Sequence, residues 1–208
     1  GVDVTLIKPN QRGSVEANKV EDAITKNTKL ISIMYVNNEI GTINPIKDIS
    51  AIAKKHDILV HTDAVQAMGK IKFDINELGV DLLSLSGHKF YAPKGVGILF
   101  VKEGTPIKPI FFGGGQESQL FSGTENIVNI GALAEAFKIC YAELDNNIKA
   151  IKNLDKYFTS LLDCENIDYK INGDSRVPGI LNITLPNTNS ASFIINLDRD
   201  GYAISAGS

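Results

Sequence analysis

Short, continuous apolar runs alternating with amphipathic stretches are the feature that most constrains this fold, because that alternation is what βαβ units require. Strand candidates are Val4–Ile7, Leu30–Val36, Leu59–Thr62, Leu82–Ser86 and Val96–Val101. Between them, Val15–Thr25 and Ile46–Lys55 carry apolar residues at helical spacing, with Pro45 suited to a first helical position. The unbroken run LISIMYV predicts a strand covered on both faces, as in a mostly parallel sheet. A long helical stretch follows from about Ile127 to Leu162, its first half nearly all apolar and small, its second half amphipathic. The remaining stretches (ILNITLP, SASFIINLDRDG, YAIS) read strand–helix–strand, like the start of a smaller α+β domain.

A chain of 208 residues is long enough for one large domain with a substantial core. Its formal charge of −3 is too mild to point to nucleic acid or an anionic membrane as partner. No apolar run approaches the ~20 residues that span a bilayer, and GVDVTLIKPN lacks a signal-peptide layout. Cys140 and Cys164 show no metal-ligand spacing, which suits a reducing cytoplasm. Composition alone therefore predicts a soluble, intracellular, globular protein.

In an open α/β sheet, ligands sit at the carboxyl ends of the strands. Here Asn37, Asn38 and Glu39 follow the second strand candidate, Asp63 and Gln66 the third, and Ser86, His88 and Lys89 the fourth. A lone lysine is usually a surface residue. Three successive strand ends bearing amides, an acid, an imidazole and an amine are harder to explain by packing. Pyridoxal phosphate (PLP) chemistry needs such a set: a lysine amine for a Schiff base and a carboxylate to keep the pyridine nitrogen protonated. It also needs donors for the phosphate and a hydrogen bond to the ring hydroxyl.

The segments YVNNEIGTINPI, VHTDAVQAMGKI, SLSGHKFYAPKGVGILFV, GGGQE and SGTENI occur in this order. In that order they resemble the NifS-like cysteine desulfurases, PLP enzymes of the class V aminotransferase group with fold type I. The resemblance runs through nearly the whole chain. It implies an α/β fold: the three-layer α/β/α PLP-dependent transferase large domain, mostly parallel in its sheet, plus the start of a smaller α+β C-terminal domain. On that basis residues 1–140 are part of the large domain, and 141–208 are a linking helix and the beginning of the small one.

The resemblance further implies that Lys89 is the Schiff-base lysine, that Asp63 pairs with the pyridine nitrogen, and that Asn38 and Gln66 lie near the ring hydroxyl. Ser86 and His88 would hold the phosphate. Thr124 would reach the phosphate of the partner subunit in a homodimer with shared sites. Members of the family convert L-cysteine to L-alanine while an active-site cysteine takes the sulfur as a persulfide. That sulfur passes to an acceptor such as an iron–sulfur scaffold protein.

For His61 two readings stand: a residue that orients Asp63, or a satisfied half-buried histidine. His56 reads as a surface residue at a helix end, Lys94 as part of a turn, and Glu39 and Gly41 as structural. Gly113–Gly115 lacks the spacing of a P-loop and reads as a flexible loop near the dimer interface. Phe121 stands where many relatives carry arginine, a departure that bears on anion or sulfur handling in that loop and not on Lys89.

Neither cysteine fits the sulfur acceptor: Cys140 lies in an apolar helical stretch, and nothing beside Cys164 would lower its pKa. LDRDGYAISAGS resembles the family segment that leads into the catalytic-cysteine loop. The chain is therefore expected to be a central piece of such an enzyme, with that cysteine and a substrate-binding arginine beyond Ser208 and further cofactor contacts before Gly1. By itself it is expected to bind PLP weakly or not at all. The alternatives are a selenocysteine lyase, another class V enzyme, or a non-catalytic scaffold that keeps only the fold.

Overall fold

The computed structural model describes residues 1–207. Its centre is a four-stranded sheet: β1 (Leu30–Met34), β2 (Leu59–Asp63), β3 (Leu82–Ser86) and β4 (Gly97–Val101), in that spatial order. β1, β2 and β3 run parallel, with Ser32 beside His61 and Asp63 beside Ser84. β4 is antiparallel to β3, pairing Ser86 with Gly97. The mostly parallel sheet expected from the apolar runs is therefore present.

Alternation along the strands separates two faces. Ile31, Val60, Leu83 and Leu85 are buried on one, with Thr62, whose Oγ1 donates to the Ile33 carbonyl at 2.9 Å. Two helices join the same core: α1 (Ala17–Asp22) through Val20, and α2 (Ile46–Lys55) through Ile46, Ile49 and Ala53. Asn44, buried ahead of α2, donates to the Met34 carbonyl at 2.8 Å and accepts from Val15 N–H at 2.9 Å. Those bonds tie the α1 approach to the end of β1. The opposite face of the sheet carries Ser32, His61, Asp63, Ser84 and Ser86, all exposed or half-buried.

A one-turn helix, α3 (Ile75–Leu78), was not predicted. Asp74 caps it, accepting from Asn76 N–H at 2.8 Å, and Gly79 ends it in the left-handed conformation at φ 70°. The long helical stretch is two helices, α4 (Ile127–Ala142) and α5 (Leu144–Cys164). Glu143, at φ −94° and ψ −2°, separates them while staying in the right-handed region, and buried Leu144 anchors the start of α5. Of α4, apolar almost all round, only Leu133 is buried.

Past α5, a small ladder pairs β5 (Lys170–Ile171) with β6 (Ile183–Thr184), followed by α6 (Ser190–Arg199). This stretch folds back onto the turn after β1: Val177 N–H donates to the Gly41 carbonyl at 2.9 Å, and Asn182 Nδ2 to the Glu39 carbonyl at 3.2 Å. Two strand expectations fail. Val4–Ile7 forms no strand, with Val4 75% and Leu6 86% exposed, and the YAIS segment is likewise unpaired. An extended apolar run becomes a strand only where a neighbour satisfies its backbone, and neither run has one among the described residues.

Candidate active site

The parallel strands end on one side of the sheet, and the sequence-predicted residues gather there. After β1, the chain turns at Asn37, whose Oδ1 accepts from the N–H groups of Glu39 and Ile40, both at 2.9 Å. Gly41 completes the turn at φ 71°, where an added Cβ would lie 3.0 Å from Ile180. Asn38, exposed on this turn, donates through Nδ2 to Glu39 Oε1 at 3.1 Å. Glu39 and Gly41 are thus structural, as the sequence suggested.

Asp63 closes β2 on the open face. Its Oδ1 accepts from Val65 N–H at 2.9 Å, which fixes the carboxylate's direction; among the described residues its other oxygen accepts no hydrogen bond. Gln66 follows in the same turn, half-buried, its side-chain amide also without a partner among the described residues.

β3 ends at Ser86, where Gly87–Phe90 makes one tight 3-10 turn. Ser86 Oγ and His88 Nδ1 are 2.9 Å apart, so one hydrogen bond sets the imidazole's orientation. His88 and Lys89 are exposed, whereas Gly87 and Phe90 are buried and anchor the turn from below. Lys89 makes no ion pair or hydrogen bond among the described residues. Tyr91 then ends the turn in the left-handed region at φ 69°.

Sequence reasoning missed Lys70. Burial pulls its amine below the ordinary lysine value, and the positive charge of Lys89 adds to that. The two amines are therefore electrostatic neighbours. The only sequence signal was position, four residues after Gln66 in the turn that Asp63 begins.

Thr124 lies in the exposed loop ahead of α4, and no hydrogen bond joins its side chain to the other site residues. Phe121 packs edge-to-face on Phe111 with ring centres 5.2 Å apart, an exposed aromatic pair where an arginine was the comparison. Cys140 is half-buried against the core beneath α4, and burial pushes its thiol pKa up, the direction opposite to a reactive thiolate. Cys164 is exposed at the end of α5. His56 and Lys94 are exposed, on a helix end and a turn.

Two concavities, of about 220 and 400 Å³, lie elsewhere: one between Tyr35, Pro45 and Phe73, the other under α4 beside Phe100, Phe137 and Cys140. Neither is lined by Asp63, Ser86, His88 or Lys89. At the strand ends Asp63, Gln66 and Ser86 are half-buried and His88 and Lys89 exposed.

The donor set suits pyridoxal phosphate. A carboxylate with one oxygen fixed and one free can accept a ring N–H, an unpaired amine can bond to an aldehyde, and hydroxyl, imidazole and amide donors surround them.

The sequence profile described as Aminotransferase class-V matches residues 1–208. The chain is 41% identical to the "Cysteine desulfurase IscS" of Dictyoglomus turgidum over 210 residues, all of this chain and 53% of that protein. It is 42% identical to the "Cysteine desulfurase, mitochondrial" of Saccharomyces cerevisiae over 211 residues, 42% of that protein. Among solved structures it is similar to a "NIFS-LIKE PROTEIN" (TM-score 0.92, 38% identity, 99% of this chain and 57% of the other). A structure described as "SspA in complex with cysteine" is also similar (TM-score 0.83, 34% identity, all of this chain and 58% of the other). The chain spans about half the length of the curated relatives it matches.

Proposed function

Because the chain belongs to the class V aminotransferase family, we propose that it carries the core of a PLP-dependent cysteine desulfurase site, with Lys89 as the cofactor-bearing lysine. The single observation that carries this reading is the pairing of a half-free Asp63 carboxylate with an unpaired Lys89 amine at adjacent parallel strand ends. Homology to cysteine desulfurases supports the substrate, L-cysteine, and the products, L-alanine and a sulfur atom handed to a thiol.

When bound, PLP supplies an electron sink for negative charge developing on the substrate amino acid. Lys89 would hold it covalently through Nζ and, once released, move a proton at that atom. The free oxygen of Asp63 would accept the ring N–H, held in direction by Val65 N–H on the other oxygen. Ser86 and His88 would hold the phosphate between them, their own hydrogen bond fixing the orientation of the imidazole. Asn38 and Gln66 would serve the ring hydroxyl, and Thr124 the phosphate of a partner subunit in a homodimer. Residues 1–140 would form the large-domain part and 141–208 the linking helix and start of the small domain.

Neither Cys140 nor Cys164 serves as sulfur acceptor in this reading. The likeness to desulfurases named IscS supports passage of the sulfur to an iron–sulfur scaffold in the cytoplasm as part of the same proposal.

An absorbance spectrum of the chain with added PLP, before and after borohydride and with Lys89→Ala alongside, tests the cofactor half of this reading: an aldimine band that reduction fixes on Lys89 is expected. A band of equal strength in Lys89→Ala would refute Lys89 as the cofactor-bearing lysine.

A further inference from the structure

The open sheet face holds a hydrogen-bonded rung that the cofactor-binding residues do not use. Ser32 of β1 is in register with His61 of β2, and Ser84 of β3, in register with Asp63, reaches back along its strand to the same imidazole. Ser32 Oγ is 2.8 Å from His61 Nδ1, and Ser84 Oγ is 2.9 Å from His61 Nε2. Both ring nitrogens are gripped, so the imidazole cannot turn without breaking a bond. A hydroxyl donates or accepts with equal ease, so the serines satisfy either neutral tautomer.

His61 is two residues from Asp63, and period-two alternation puts both side chains on the same face. A surface histidine is not normally clamped by two hydroxyls across three strands. Asp63, in turn, has a second carboxylate oxygen that accepts no hydrogen bond among the described residues. Burial pulls the His61 imidazole below its ordinary value, and the negative charge of Asp63 opposes part of that pull. Ser32 and Ser84, its neighbours on β1 and β3, do not ionise, so Asp63 is the one charged group, among the described residues, that acts on the ring.

We propose that His61 is a positioning residue for Asp63: the two serines keep a fixed, neutral imidazole two residues back along β2 from the carboxylate, leaving its charge undivided for the cofactor's ring nitrogen. Protonating His61 would place a second cation about 7 Å along the strand from Asp63, at the spacing of two strand residues. That cation would compete for the field that holds the protonated pyridine. The inference rests on the cofactor reading of Asp63 and adds a role that reading does not assign.

Two measurements on the same preparations test it. Ring ¹⁵N NMR of the cofactor-free protein reports His61, assigned by loss of its signals in His61→Gln. The expected result is a neutral ring at pH 7 and a titration below histidine's ordinary value, moving lower still in Asp63→Asn. A charged ring at pH 7, or a titration unmoved in Asp63→Asn, would overturn the proposal.

PLP affinity is then measured against pH for wild type and His61→Gln, whose amide can still bridge both serines. Wild-type affinity is expected to fall roughly three- to tenfold relative to His61→Gln as pH drops through the His61 titration. Parallel curves would refute the role for His61 while sparing the cofactor reading. No saturable uptake by either protein would overturn the inference for this chain while leaving its family membership intact.

Discussion

Gly87 lies at the junction of the sheet, the Lys89 turn and α4, and Gly87→Ala is the most informative single substitution there. Nothing in its backbone demands glycine, because its φ is not in the left-handed region; the cost is one of space. An added Cβ would lie 2.8 Å from Leu133 Cδ1, 3.0 Å from the Val96 carbonyl oxygen and 3.1 Å from Ala92 Cβ. Comfortable carbon–carbon contact is about 3.5–4.0 Å, so the methyl intrudes on all of them. The Val96 carbonyl cannot retreat freely, because it accepts from Gly87 N–H at 3.0 Å. Leu133 must therefore move, and it is the one buried residue of α4. Overpacking of this kind costs about 1–3 kcal/mol, which in a chain of this size lowers Tm by roughly 2–4 °C per kcal/mol.

A double-mutant cycle isolates the cause. Leu133→Ala alone should cost about 2–5 kcal/mol, since it empties a buried site. In the double variant the new methyl occupies vacated space, so the combined loss should fall short of the sum by at least about 0.5 kcal/mol. Urea denaturation of all the proteins at fixed pH reads each value. Wild-type stability in Gly87→Ala, or strict additivity in the double variant, would refute the steric argument.

The remaining predictions concern the core and pH. Leu83→Ala, at a fully buried site in the central strand, should lower stability by about 2–5 kcal/mol in urea melts. Ser50→Ala should raise it by about 0.5–1 kcal/mol, because among the described residues the buried Ser50 hydroxyl has no hydrogen-bond partner and alanine favours helix; a loss of stability would reveal a partner for that hydroxyl. His61 titrates lower in the folded chain than in the unfolded one, so the unfolded state takes up its proton first. Its contribution to stability is full above the ordinary value of 6.5 and is lost as pH falls from there through the folded value. His61→Gln should flatten that part of the stability–pH curve, and an unchanged slope would assign it to another group.

Much of this architecture was legible in the chain. Leu82–Ser86 and Ile46–Lys55 have the bounds their apolar patterns predict. Asp63, Gln66, Ser86, His88 and Lys89 lie at or just after strand ends, as the apolar runs before them suggested. Three features escaped for physical reasons. Val4–Ile7 has strand composition, but pairing is a property of a neighbour and not of a run. α3 is too short for periodicity to register, although Asp74 and Gly79 marked both its ends. The serine rung depends on the register among β1, β2 and β3, which no single strand encodes.

The central claim, that these strand ends form a PLP site built on Lys89, is tested most directly by trapping. The protein is incubated with limiting PLP, reduced with borohydride and digested, and the labelled lysines are located by mass spectrometry. The account predicts label concentrated on Lys89 even if binding is weak, and less of it there in Asp63→Asn. Label spread over exposed lysines such as Lys94 and Lys102, or equal at Lys89 with and without the Asp63 carboxylate, would contradict it.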